Sequence, residues 1–251
     1  MEEYKTSYET KKVETKSTRN SVSLAMFKVY LWFALGLLVT GVVSIGLPNI
    51  LGAIISSNPD LADTIANVYI GIIVVSVIMM LPSIIVIHVQ GFRKNRAVMI
   101  TFYMLYAIAM GALLSTIILL VVGTEGNYNT ICLAFFTTGL IFLLMGLIGG
   151  FTKKNLNAIL PIIVSLMMGI FVISIVNWFL NSELIYYVVE YAMLVLMIIV
   201  VAIDTYNVKK IAQRGGFDNN TNLAIYCAFN LYYDFIWIFI RIVIVLLENR
   251  N

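Results

Sequence analysis

The chain has 251 residues, 61% apolar and 12% charged, with a formal net charge of +3 and two cysteines. A soluble domain is nearer half apolar and a quarter charged, so an ordinary cytosolic enzyme, a disordered protein and a disulfide scaffold are all excluded. The apolar residues number about 153, enough for about seven membrane-crossing helices of roughly 20 residues each, and so small a net charge gives no ground for a nucleic-acid partner.

In chain order, the first 21 residues, MEEYKTSYETKKVETKSTRNS, are charged and lack an apolar core. They read as a short mobile tail. The apolar stretch that follows starts too late and runs too long for a cleavable signal. Apolar stretches lie at about 25–47, 66–89, 97–122, 129–150, 155–180, 185–207 and 223–247. Each is long enough to cross hydrocarbon as a helix, and the alternating segments of a membrane β-barrel are missing. The expected fold class is an all-α integral membrane protein, with one seven-helix domain over residues 22–251. Pro82 predicts a kink in the second span, Gly149-Gly150 end the fourth, and Gly215-Gly216 with Asn219-Asn220 fill the last loop.

The loops alternate in charge. Lys5, Lys11, Lys12, Lys16 and Arg19 precede the first span, and the 48–65 loop carries only Asp60 and Asp63. Arg93, Lys94 and Arg96 follow the second span, and only Glu125 lies in the 121–128 loop. Lys153 and Lys154, then Glu183 alone, then Lys209, Lys210 and Arg214 continue the series. The positive-inside rule places the N-terminus in the cytoplasm. Seven full spans put the C-terminus outside; a re-entrant last segment, to which Arg250 points, would return it.

Charges within spans are costly and mark function by default. Lys28 lies one turn into the first span and can snorkel to the interface. The second through fifth spans hold no Asp, Glu, Lys or Arg; Glu190 and Asp204 lie in the sixth, Asp234 and Arg241 in the seventh. Fourteen residues separate Glu190 from Asp204, which returns them to within about 40° of one helix face. Asn222, Tyr226, Asn230, Asp234 and Arg241 form a sloping polar band on the seventh helix, which therefore reads as interior. Depth arithmetic puts Glu190 and Arg241 at roughly 7 and 9 Å below the same boundary, a match that permits pairing. It puts Asp204 about 5 Å and Asp234 about 16 Å from the other boundary, so the aspartates meet only if tilt or a shifted helix end removes about 11 Å.

These segments resemble the Bax inhibitor-1 family, also called the transmembrane Bax-inhibitor-motif or lifeguard family, in its bacterial branch. The resemblance is carried by Phe27-Lys28-Val29-Tyr30 with LWFALGLLVTG, by Asn95-Arg96-Ala97-Val98 and by Thr152-Lys153-Lys154-Asn155-Leu156, where Asn replaces a usual Asp. Ala202-Ile203-Asp204-Thr205 and Leu231-Tyr232-Tyr233-Asp234-Phe235-Ile236 complete it. The resemblance implies six helices around a central seventh and a pH-sensitive calcium leak. It implies that Asp204 and Asp234 are the proton sensor, and that a basic residue near the second span's cytoplasmic end latches them; His88, Arg93 and Lys94 are the nearest candidates.

Two carboxylates held close in a poor dielectric share a proton and titrate in two steps. The expectation is a gate: protonated, Asp204 and Asp234 bond and hold the two helices; deprotonated, they repel and leave oxygen ligands for calcium. With Asn230, tyrosine hydroxyls and water they make a weak calcium site, suited to leakage. Calcium is thus a transported ion, and no cofactor is expected. Glu190 and Arg241 read as a structural ion pair, His88 as an interfacial side chain that can also sense pH, and Cys132 and Cys227 as small core residues. The Asn219-Asn220-Thr221 sequon falls in a loop placed inside. An intramembrane enzyme is not expected: His88 is the sole histidine, and no Gly-x-Ser-x-Gly elbow occurs. The alternatives are a non-conducting regulator that binds a membrane protease or a stress or death-pathway partner, and a proton-coupled transporter. The compact length points to a bacterial cell membrane.

Overall fold

The computed structural model describes residues 2–91, 95–125, 128–217 and 220–248, and the side chains of residues 22–91, 95–123, 128–217 and 220–248. It is built of seven helices: α1 Glu2–Ser57, α2 Ala62–Gln90, α3 Arg96–Glu125, α4 Asn129–Phe151, α5 Leu160–Leu180, α6 Glu183–Gln213 and α7 Thr221–Glu248. Short 3-10 turns at Pro59–Leu61 and Leu156–Ala158 precede α2 and α5. The described residues contain no strand. All seven helices are long and apolar enough to cross a membrane.

Helix ends depart from the sequence reading in two useful places. The expected 48–65 loop is mostly helix. Pro48 sits inside α1, which runs on to Ser57. Side chains near that end turn back on the helix: Asn49 Nδ2 donates to Ile45 O at 2.7 Å, and Ser56 and Ser57 Oγ donate to Gly52 O at 2.9 Å and Ala53 O at 3.0 Å. Only Asn58 and the Pro59–Leu61 turn separate α1 from α2. At the other end of the chain, α6 continues through Lys209 and Lys210 to Gln213, six residues past the expected end. The bounds of α1 also take in residues 2–21, read above as a tail. Pro82 lies within α2 without ending it. Asn181 closes α5 in the left-handed region, at φ 48°, and Asn177 Oδ1 accepts the Ser182 N–H at 3.1 Å, which makes the α5–α6 turn tight.

Residues 1–113 and 208–229 form one compact unit, and residues 114–207 and 230–251 another. In the first, α1 and α3 approach closely. A Cβ on Gly111 would lie 2.8 Å from Thr40 O and 2.7 Å from Val43 Cβ. Thr40 Oγ1 donates to Ala107 O at 3.0 Å. Tyr103, fully buried, donates its hydroxyl to Trp32 O at 2.8 Å. Tyr103→Phe keeps the ring and leaves that carbonyl short of a donor. The expected loss is about 1 kcal/mol, read as a lower unfolding temperature in detergent.

In the second unit, Ile163, Leu196 and Ile203 form a core with Met167, Ile170, Ile199 and Val200 around it. Phe235 of α7 packs edge-on to Phe135 and Phe142 of α4, with ring centroids 5.6 and 5.5 Å away.

Burial separates the helices. Half of the most apolar window of α7 (50%) and 56% of that of α3 are buried, against 6% to 22% in the others. The expectation of an interior seventh helix fits these values, and α3 is just as deeply buried, which the resemblance to a six-around-one arrangement does not convey. On α7 the apolar residues Ile225, Leu231, Ile238 and Val243 are as buried as the polar Asn222 and Asp234. A membrane helix buried on several faces at once is packed by protein rather than lipid.

Candidate functional site

Asp204 and Asp234 come together. Asp204 sits nine residues before the end of α6 and Asp234 thirteen after the start of α7. These place them about 14 and 20 Å in from the ends of their helices. The extension of α6 to Gln213 thus removes nearly half of the depth gap that the sequence spans left. The two carboxyl groups lie within interaction distance of each other. Asp234 is buried and Asp204 half-buried. Asp234 Oδ2 is enclosed, with no hydrogen-bond partner among the described residues. Both aspartates belong to the second unit.

A backbone contact fixes the Asp204 segment from its other side. Gly149, near the end of α4, lies where a Cβ would stand 2.2 Å from Ala202 O and 3.0 Å from Thr205 Cβ. Only a hydrogen at that position lets α4 reach the turn of α6 that carries Asp204. In the sequence Gly149 reads as helix punctuation, yet it lies two residues before the end of α4, within the helix, where the close approach of α6 requires it.

Glu190 and Arg241 also pair, through Arg241 Nη1 and Glu190 Oε1. Glu190 is buried, and the Arg241 guanidinium lies 4.6 Å from the centroid of the Trp237 ring, one turn away on the same helix. Close by, the Tyr186 hydroxyl donates to Glu248 Oε1 at 3.2 Å. The two α6–α7 contacts are unequally spaced. Glu190 and Asp204 are fourteen residues apart, about 21 Å of helix, whereas Asp234 and Arg241 are seven apart, about 11 Å. The longer side chains of Glu190 and Arg241 make up the difference, so the ion pair reaches along the helices.

The remaining sequence-predicted residues lie as follows. Asn230 is half-buried on α7, one turn before Asp234. His88 is in the first unit. Its Nδ1 lies 2.8 Å from Ile84 O and therefore carries the ring proton, and its ring packs edge-on to Tyr226 and Phe229, at 5.3 and 6.0 Å. Arg93 and Lys94, the other latch candidates, lie outside the described residues, as do Asn219 of the sequon and Arg250. Asn222, read as part of the polar band, donates through Nδ2 to Gln90 O at 3.2 Å, and Asn220 Nδ2 donates to Gly91 O at 3.4 Å. These amides satisfy carbonyls at the end of α2 that the helix itself leaves free. Among the described residues no group of three or more His, Cys, Asp or Glu could hold a metal ion, so any calcium at the aspartates would rely on neutral oxygens and water besides the two carboxylates.

A family model described as inhibitor of apoptosis-promoting Bax1 matches residues 22–251. Among curated proteins, the chain is 27% identical over 227 residues to the inner membrane protein YbhL of Escherichia coli K12, covering 89% of this chain and 91% of that protein. It is 29% identical over 229 residues to the uncharacterized protein RP147 of Rickettsia prowazekii, covering 90% of each. An uncharacterized membrane protein of Streptococcus pyogenes serotype M3 is 27% identical over 150 residues, which are 60% of this chain and 63% of that protein. The match to these streptococcal relatives thus spans just under two thirds of their length.

Proposed function

The chain belongs to the family of inhibitors of apoptosis-promoting Bax1, and from that premise we propose that it is a pH-gated calcium leak of a bacterial cell membrane, non-enzymatic, with the N-terminus on the cytoplasmic side. The observation that carries the reading is the contact between Asp204 and Asp234 inside the membrane domain. A carboxyl pair in that setting holds together while it retains a proton. When the proton leaves, two like charges face one another in a medium that screens them poorly, and they repel. Opening therefore follows proton loss, and flux rises with pH. The separated carboxylates attract a hard cation and bind it weakly, through few charged ligands. The membrane setting is supported by the seven apolar helices and by relatives named as membrane proteins. The orientation rests on the alternation of basic loops.

The test is calcium flux into proteoliposomes over a pH series. The unmodified protein is expected to conduct more as pH rises. The double variant Asp204→Asn/Asp234→Asn is expected to lose that dependence. Equal rates and profiles for the two proteins would remove the gate.

A second reading, a non-conducting regulator that binds a membrane protease or a stress or death-pathway partner, is favoured by the wording of the family description. It predicts no calcium flux at any pH and a partner retained by the charged segment 1–21; pull-down with that segment deleted, beside flux from the same protein, separates the two.

A further inference from the structure

We infer that Arg241 is a tethered cation closing the calcium path at the end of the α6–α7 pair away from Asp204 and Asp234, an inference that rests on the leak reading above. The ion pair with Glu190 joins the same two helices that the aspartates join. Glu190 is a buried carboxylate, and the ligand it holds is a guanidinium.

Three observations favour a gate over a plain clamp. First, the pair is only partly buried, with Arg241 half-buried beside a buried Glu190; such a pair adds little net stability, so its presence between two membrane helices calls for another account. Second, Arg241 has an alternative seat. The Trp237 ring lies 4.6 Å from its guanidinium, one turn back on α7, and an aromatic face can keep a cation inside the membrane domain when its carboxylate is given up. Third, the pair bridges a length mismatch of about 10 Å along the two helices. Small relative movements of α6 and α7, such as those following repulsion of the aspartates, will therefore break it first. Once released, Glu190 becomes an oxygen ligand. Of the other charged and titratable groups at this end, Glu248 is held by the Tyr186 hydroxyl.

The gate and the clamp predict different signs. In proteoliposomes at high pH, Arg241→Gln removes the plug and raises calcium flux about tenfold, the low end of what the charge lining a cleft does to ion association. Glu190→Gln strands the positive charge in the path and lowers flux by a similar factor. Arg241→Lys keeps the charge and stays within about twofold of the unmodified protein. The pH midpoint, set by the aspartates, does not move in any of the three. A clamp predicts that Arg241→Gln and Glu190→Gln change flux in the same direction; that outcome, or no change in either, overturns the inference. Should Arg241→Gln not give a monodisperse protein, Glu190→Gln decides alone: lower flux at an unchanged midpoint supports the gate, and unchanged or higher flux refutes it. If the unmodified protein carries no calcium at any pH, the leak reading fails and takes the gate with it; if it conducts with a pH profile and only these variants disagree, the gate alone fails.

Discussion

Asp234→Asn alone is expected to hold calcium flux at its low-pH level throughout the range from pH 5 to 8.5. The substitution conserves shape, and the asparagine amide can donate to the Asp204 carboxylate, so α6 and α7 stay joined whether or not Asp204 is charged. What disappears is the like-charge repulsion that separates them. Two unit charges about 4 Å apart interact by about 4 kcal/mol at an effective dielectric of about 20. A third of that already changes a two-state population about tenfold. At pH 8 the variant should therefore conduct at least about tenfold less than the unmodified protein. Asp204→Asn should do the same, because repulsion is a property of the pair. A variant at one aspartate that keeps a full pH response while the other loses it would show that a single carboxyl senses protons, with no need for the contact between them.

Gly149→Val should give the largest loss of stability. A Cβ there would come within 2.2 Å of a backbone oxygen, Ala202 O. No rotamer can relieve that contact, since neither atom belongs to a movable side-chain end. Helices α4 and α6 must part. Overpacking of this kind costs about 1–3 kcal/mol, and the branched valine adds further atoms beyond the Cβ. Thermal unfolding in detergent measures the loss, with Gly150→Ala as the control, because a Cβ at Gly150 meets nothing within 4 Å. The shift also displaces the α6 turn that carries Asp204. The pH midpoint of flux should move in Gly149→Ala, the milder variant, and stay put in Gly150→Ala.

Apolar length and loop charge made the seven helices legible in the sequence, and the rarity of charge in hydrocarbon singled out Glu190, Asp204, Asp234 and Arg241. Both signals are strong because the bilayer penalises exceptions to them. Helix ends were harder to read. Pro48 and the polar residues after it imitate a loop, yet α1 passes through them to Ser57. Lys209 and Lys210 imitate an end, yet α6 continues to Gln213. That second error accounts for nearly half of the apparent depth mismatch between the aspartates. The burial of α3 was also hidden. An apolar helix facing lipid and one facing protein have similar compositions, because lipid tails are as apolar as leucine. The clue was the size of its residues: Ala107, Ala109, Gly111, Ala112 and Ser115 are small, and small residues let helix backbones approach, as Gly111 does with Thr40.

The composition of α7 bears on how the protein is made. Its most apolar window has a mean hydropathy of 1.8, below the 2.0 to 2.9 of the other six helices, and it carries an aspartate and an arginine. Near a helix centre each such residue opposes entry into the bilayer by about 2.5–3.5 kcal/mol. Synthesised alone, the segment would be a poor client for the insertion machinery. In sequence it follows six better-inserting helices, and its partners for those charges, Asp204 and Glu190, arrive in the membrane just ahead of it on α6. Biogenesis therefore has an order built into it: the helix that carries Asp234 and Arg241 enters the membrane through contacts that its predecessors have already put in place.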